Sequence, residues 1–403
     1  MLFNLNEFLI AVSFTLDFVE MDVLGVTSNH GKRTAYLSLK IAEELGLKAE
    51  ELHDIVSLAI MHDNGVSEKS LHDKFLNEDE ISVKSIERIK EHCTIGEENI
   101  IEYPFLTKVK NVIKYHHEKY DGTGFFAVKG EAIPIMSQII HLADTIEVSF
   151  DLGNNNCEMA SKMLKFAQGE KNKMFSPKVV EAFAKVLHKE QFLRNLKKEY
   201  VGTTLREDTP NYSLELSMEK IRAITGVFSK IIDAKSKFTE RHSKDLSIKA
   251  AIMADYYKMP QEEKMKLIIA ANLHDIGKLA VPNDILDSPN PLSSKEFEII
   301  KKHPYYTRVA LQEIKGFEDI TEWASNHHEK LNGKGYPFGK PAEALDFNSR
   351  LIGCLDVYEA LTEERPYRVG LSHEEAMEIL NSMKDNSFID AGITEAIDYV
   401  FKK

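Results

Sequence analysis

KYHHEKYDGTGFF at residues 114–126 and SNHHEKLNGKGYP at residues 325–337 are one segment written twice. The paired histidines, the Glu-Lys that follows them and the two glycines keep their order and nearly their spacing in both stretches. Other histidines and aspartates fall into the same register on either side. His242 follows His30 by 212 residues, His274 follows His62 by 212, His303 follows His92 by 211, His327 follows His116 by 211, and Asp356 follows Asp144 by 212. Anchors that hold one offset to within a residue over more than a hundred positions mark a tandem duplication. The first copy begins near Met1 and the second near residue 213, which leaves no long additional domain. Charge and turn residues crowd 189–213. We read a first domain at 1–200, a linker at 201–212 and a second domain at 213–403.

Between the anchors the pattern is helical. LSLKIAEELGL at 37–47, LSMEKIRAITGVFSKIIDAK at 216–235 and KMKLIIAANLHD at 264–275 repeat apolar residues every three or four positions. Alternating, strand-like runs are scarce, and Pro and Gly gather in loops such as 281–294 and 332–341. The fold class expected is all-α, one helical bundle per copy. The apolar N-terminus is interrupted by Glu7, Asp17, Glu20 and Asp22 and lacks a basic n-region, so it reads as an amphipathic first helix rather than a signal peptide.

Composition narrows the function classes. With 43% hydrophobic and 29% charged residues the chain is an ordinary globular protein, neither disordered nor a membrane bundle. A formal net charge of −13 repels phosphate backbones, which disfavours duplex nucleic acid and anionic membranes as partners. Cys93, Cys157 and Cys354 are odd in number and far apart, so neither disulfides nor a thiolate zinc site is expected, and a reducing cytoplasm fits. Membrane insertion is not expected, whereas exposed amphipathic helices are compatible with a homodimer.

In the second copy, His242, His274, Asp275, His303, His327, His328 and Asp356 supply five imidazoles and two carboxylates from separate helical segments. A single histidine of this kind reads as an ordinary core or surface residue. An adjacent His274–Asp275 closing an apolar helix reads otherwise, because burying both is costly without a partner or a metal. Nitrogen and oxygen donors without thiolate suit Fe, Mn, Ni, Zn or Co. Two such ions about 3.5–4 Å apart can hold a hydroxide for in-line attack on phosphorus.

HDIGK at 274–278, HHE at 327–329, NGKGYP at 332–337 and RPYR at 365–368 together resemble the HD-GYP family of metal-dependent phosphohydrolases, across essentially all of 238–390. The resemblance implies two tandem HD-type helical bundle domains. It also implies a phosphodiesterase that opens cyclic di-GMP or 3',3'-cyclic GMP-AMP to the linear dinucleotide with a metal-bound hydroxide. One of two divalent ions, Fe, Mn or Ni, would be held by His242, His274, Asp275 and Asp356, and the other by His303, His327 and His328 with Asp275 as bridge. Lys278 takes the place of the family's catalytic lysine. Tyr336, Pro337, Arg365 and Arg368 take the substrate-binding places, the arginines on phosphate. Two positions depart from the family. Asn332 stands where the motif has Asp, removing a charge that orients the loop, and Phe238, four before His242, cannot supply a carboxylate for a third metal.

The first copy keeps a full ligand set, His30, His62, Asp63, His92, His116, His117 and Asp144, and is expected to hold metal as a second, weaker site. Val66 replaces the lysine, Phe125-Phe126 replace Tyr-Pro, and DLGNNN at 151–156 follows where RPYR would stand. A regulatory or sensing domain is the expectation, against a second hydrolase or a purely structural partner. For the whole chain the alternatives are a non-catalytic cyclic-dinucleotide receptor and another HD-type nucleotide phosphohydrolase, for instance one acting on guanosine tetraphosphate.

Overall fold

The computed structural model describes residues 1–24, 28–66, 90–150, 152–154, 157–189, 191–235, 241–288, 291–364 and 369–402. Among the described residues the regular elements are helices, apart from two strands of two residues each, Leu2–Phe3 and Leu214–Glu215. The chain divides into two compact units, Phe3–Leu214 and Glu215–Lys403, the latter joined by Met1–Leu2. Among the described residues no helix is long and apolar enough to cross a membrane.

In the first unit, α1 (Leu5–Leu24), α2 (His30–Glu44) and α3 (Ala49–Ile60) lead to a short α4 (Glu91–Asn99) and then to α5 (Ile135–Ser149). Helix α1, expected as an amphipathic first helix, buries several of its polar residues as well as its apolar ones. Asn6, Ser13, Thr15 and Asp17 are buried along with Phe8, Leu9 and Val12. The polar groups are satisfied locally: the Ser13 and Thr15 hydroxyls donate to carbonyls three residues back, and Asn6 donates to His53 O at 2.9 Å. Asp17 has a structural task. Its carboxylate accepts from Asn29 N at 2.8 Å and Gly31 N at 3.2 Å, tying down the start of α2, where His30 sits. Burial pushes its pKa up, against the pull of Lys32 and His30.

The unit continues through α6 (Cys157–Gly169), α7 (Pro177–Leu187), α8 (Phe192–Asn195) and α9 (Val201–Asp208). The stretch expected as linker, 201–212, thus begins as a helix with Val201 and Leu205 fully buried. Asp208 at its end pairs with Lys40 of α2 at 2.7 Å. Charge and turn residues in 189–213 pointed to a loop, but the apolar pair one turn apart gives the segment a face to bury.

In the second unit, α10 (Met218–Lys235), α11 (His242–Tyr256), α16 (Glu318–Ser325) and α17 (Phe347–Thr362) surround α12 (Gln261–Leu273). Met265, Leu267, Ile268, Ile269, Ala270, Ala271 and Leu273 of α12 are all buried, as a helix enclosed on every side requires. Short helices α13 (Asn283–Leu286), α14 (Ser294–Ile300) and α15 (His303–Leu311) lie between them in sequence, and α18 (His373–Asp385) and α19 (Ala391–Phe401) close the unit. Asp233 of α10 accepts from Ser243 N at 3.2 Å, beside His242. Burial raises its pKa to about 6.

If α9 belongs to the first unit's core, Leu205→Ala leaves an internal void and lowers stability by about 2–5 kcal/mol. Denaturant melts measure it. A change below about 0.5 kcal/mol, the scale of a surface substitution, would make the segment a detachable linker.

Candidate metal centre

The histidines and Asp275 of the second unit stand at or just past helix ends, and Asp356 lies inside a helix. His242 opens α11, His274 and Asp275 follow α12, His303 opens α15, His327 and His328 follow α16, and Asp356 lies in α17. All except His328 are almost fully buried. Their ring nitrogens and carboxylate oxygens gather within 4.8 Å in overlapping groups: His242, His274 and Asp356; His274, Asp275 and His327; His303, His327 and His328.

Asp275 has two faces. Its Oδ2 lies 3.1 Å from His274 Nε2 and 3.9 Å from His242 Nε2, while Oδ1 lies 3.3 Å from His303 Nε2 and 3.9 Å from His327 Nε2. Asp356 Oδ1 is 3.0 Å from His242 Nε2, and its Oδ2 is 3.6 Å from His328 Nδ1. Lys278, on the 3-10 turn Ile276–Ala280, places Nζ 2.6 Å from Asp275 Oδ2.

The ring orientations make this a metal-type donor set. His274, His303 and His327 each donate Nδ1–H to the carbonyl three residues earlier, Ala271 at 2.8 Å, Ile300 at 2.8 Å and Ala324 at 2.7 Å. A carbonyl only accepts, so the proton sits on Nδ1 and the inward Nε2 carries a lone pair. Two such nitrogens, those of His303 and His327, stand 3.1 Å apart. His274 Nε2 and Asp275 Oδ1 are buried with no hydrogen-bond partner among the described residues. Lone pairs and carboxylates that converge without protons between them fit a cation.

The electrostatics differ from one donor to the next. Burial opposes charge on His242, yet its bonds to Asp356 and Glu363 raise its pKa to about 10. Burial resists ionisation of Asp275 and Asp356, but the surrounding imidazoles, with Lys278 beside Asp275, hold both well below the usual carboxylate range. Burial pulls His303 and His327 down and takes His328 to about 3, leaving their imidazoles neutral and available as donors.

The first unit repeats the arrangement. His30, His62 and Asp144 form one group, and Asp63, His92, His116 and His117 another. Asp63 Oδ2 lies 3.4 Å from His62 Nε2, while Oδ1 lies 3.5 Å from His92 and 3.4 Å from His116. His62 and His116 again donate Nδ1–H three residues back, to Ala59 O at 2.8 Å and Ile113 O at 2.6 Å. Val66 is buried where the second unit has Lys278, and Phe125 stands with its ring 6.0 Å from His117 where Tyr336 packs on His328 at 4.8 Å. His30 has a firmer support than its counterpart. Its Nδ1 meets Glu147, which the buried Arg33 clamps from the other side. Cys93 comes within 3.4 Å of His92 Nε2, and burial pushes its thiol pKa up.

The loops over both centres are held by a glutamate that sequence reading gave no role. Glu329 accepts from Phe338 N at 2.7 Å and Lys340 N at 2.8 Å, and Glu118 does the same for Phe126 and Val128, both at 2.7 Å. Its place in both HHE triplets was the available signal. Asn332 keeps a turn in the loop. Its Oδ1 accepts from Lys334 N at 3.0 Å, the same turn that Asp121 makes with Thr123 N at 3.0 Å. An amide oxygen serves that turn as well as a carboxylate. Pro337 follows Tyr336 in the loop, and Tyr336 N donates to His328 O at 3.2 Å. Arg365, Arg368 and Phe238 lie outside the described residues.

Comparison with known proteins agrees with this geometry. The chain is 29% identical to 3'3'-cGAMP-specific phosphodiesterase 1 of Vibrio cholerae serotype O1, over 98% of this chain and 91% of that protein. It is 28% identical to 3'3'-cGAMP-specific phosphodiesterase 3 of the same organism, over 94% of this chain and 90% of that protein. The crystal structure of a cyclic GMP-AMP specific phosphodiesterase from V. cholerae superposes with a TM-score of 0.71 at 25% identity, covering 100% of this chain and 98% of that one. The HD domain family matches residues 21–167 and again 226–393, so the chain belongs to that family, with one HD domain in each copy.

Proposed function

We propose that the second unit hydrolyses a cyclic-dinucleotide phosphodiester, 3',3'-cyclic GMP-AMP or cyclic di-GMP, to the linear dinucleotide, and that the first unit is a metal-bearing regulatory domain. The two-faced Asp275 carries the reading: it gives each of two donor groups one oxygen, with Lys278 beside it. The full-length likeness to cyclic GMP-AMP phosphodiesterases supports that substrate class. Two divalent ions in the second unit, Fe, Mn or Ni by donor type, would lower the pKa of bound water and draw charge from the phosphoryl oxygens.

The protein's own groups do the rest. Lys278, partly exposed at the rim of the buried cluster, is placed to hydrogen-bond a phosphoryl oxygen and to give a proton to the leaving alkoxide. Tyr336, backed by His328, offers a ring face to a sugar or base beside Pro337. Arg365 and Arg368 remain the phosphate-holding candidates. The first unit lacks the lysine and the tyrosine hydroxyl but keeps the donors, which suits a bound metal without turnover.

Metal-reconstituted protein, assayed anaerobically with both dinucleotides side by side, yields linear product, and His274→Ala with Asp275→Ala yields none. Lys278→Ala keeps its metal and loses about 10²–10⁴-fold in kcat. Full turnover by that variant would remove the lysine from the mechanism. No product from metal-loaded wild type would favour the receptor alternative. Asn332→Asp stays within about threefold of wild type in kcat/KM, the scale of a surface substitution, whereas a large gain would mean that the missing charge matters. Elemental analysis of His62→Ala with Asp63→Ala shows lost metal but intact second-unit turnover; unchanged metal content would deny the first unit a site.

A further inference from the structure

His141 of α5 and Gly353 of α17 hold equivalent places, 212 residues apart and one turn before Asp144 and Asp356. In the first unit His141 fills the space behind the His116–His117 pair. It is 3% exposed, its ring 6.3 Å from that of His117 and 5.5 Å from that of Phe175, itself 1% exposed. In the second unit Gly353 brings no side chain to that region and borders a cavity instead. The cavity, of about 260 Å³, reaches from His328 and Tyr336 past Gly353 and Val357 to Met383 and Phe388. The wall is close-fitted, since a Cβ on Gly353 would come within 2.9 Å of His327 O.

Size and lining specify the occupant. The cavity is smaller than the roughly 300–1,000 Å³ of a site that engulfs a whole drug-sized ligand, so it takes one ring system, not a dinucleotide. Its aromatic and aliphatic walls suit a flat heterocycle. Its polar edge carries acceptors beside the donors Lys330 and Arg350. Asn326, 3% exposed, is among the lining residues, and its buried Oδ1 has no hydrogen-bond partner among the described residues, its Nδ2 being engaged by Glu322 at 3.0 Å. The Asp390 carboxylate, held by Arg350 at 3.2 Å, lines it as well. Acceptors at the edge of an apolar slot match the exocyclic amino group of a purine.

We propose that this cavity, bordered by Gly353 where the first unit has the side chain of His141, is a purine subsite. It holds one base of a dinucleotide whose phosphodiester lies on the neighbouring histidine–aspartate cluster, and in that respect rests on the function proposed above.

Gly353 is unsuitable for the test because a side chain there would displace His327. Val357→Trp and Met383→Trp fill the cavity from opposite walls instead. Calorimetry on full-length, metal-loaded protein compares AMP, GMP and ribose 5-phosphate. Wild type binds at least one of the purine nucleotides more tightly than ribose 5-phosphate. Each variant, with metal content and helicity as in wild type, loses that preference about 10-fold or more, and KM for the cyclic dinucleotide rises in step. Equal binding of the nucleotides and ribose 5-phosphate to wild type overturns the subsite, as does wild-type nucleotide affinity in both folded variants. Purine-dependent binding by a protein that hydrolyses neither cyclic dinucleotide would uphold the subsite while the proposed activity fell.

Discussion

A hydrogen bond made away from the reaction centre governs both clusters: the Nδ1–H of a histidine donated to the carbonyl three residues before it. At the end of a helix that carbonyl has no intrahelical partner and needs a donor. His62 and His274, just past α3 and α12, and His327, just past α16, satisfy it with their own rings. The bond completes the helix end, fixes the tautomer and aims Nε2 inward, all at once. Backbone conformation thereby becomes ligand geometry, which explains why these histidines stand just past helix ends rather than along one helix face.

The same economy holds for the glycines around each centre. A Cβ on Gly277 would lie 1.9 Å from His303 O, and one on Gly65 would lie 2.2 Å from His92 O. The turn after each His-Asp pair therefore packs backbone to backbone against the helix that brings the next histidine. Gly335 is as tightly bound, its Cβ position 2.3 Å from Lys330 N, and Gly124 meets Glu118 and Lys119 in the same manner. With Glu329 and Glu118 gripping the loops, the donors sit in a rigid frame, and such framing is what sets ligand orientation in a metal site.

Much of this was legible because it repeats. Two copies at one offset exposed the donor residues without structural information, and apolar periodicity sufficed for helical bundles. What escaped reading were groups whose role depends on a distant backbone. Asp17 and Asp233 look like surface charges until α2 and α11 are placed beside them, and Asn332 looks like a lost charge until its turn is seen. Residues 201–208 carry the composition of a linker, and only burial of Val201 and Leu205 reveals a packed helix. Gly353 reads as an unremarkable glycine in a helix, since an empty volume leaves no mark of its own in the chain.

Comparing the two units separates framework from chemistry. The positions they share are buried donors and the groups that orient them; losing one would strand the others as buried, unsatisfied polar atoms, a large penalty in a dry interior. The positions where they differ border the cluster. Lys278 against Val66, Tyr336 against Phe125 and Gly353 against His141 each exchange a group that a substrate would meet for one that packs. A histidine–aspartate cluster that helps build its own fold can therefore persist where the groups around it differ, because the donors answer to the helix ends and to one another, while the lysine, the tyrosine hydroxyl and the cavity do not.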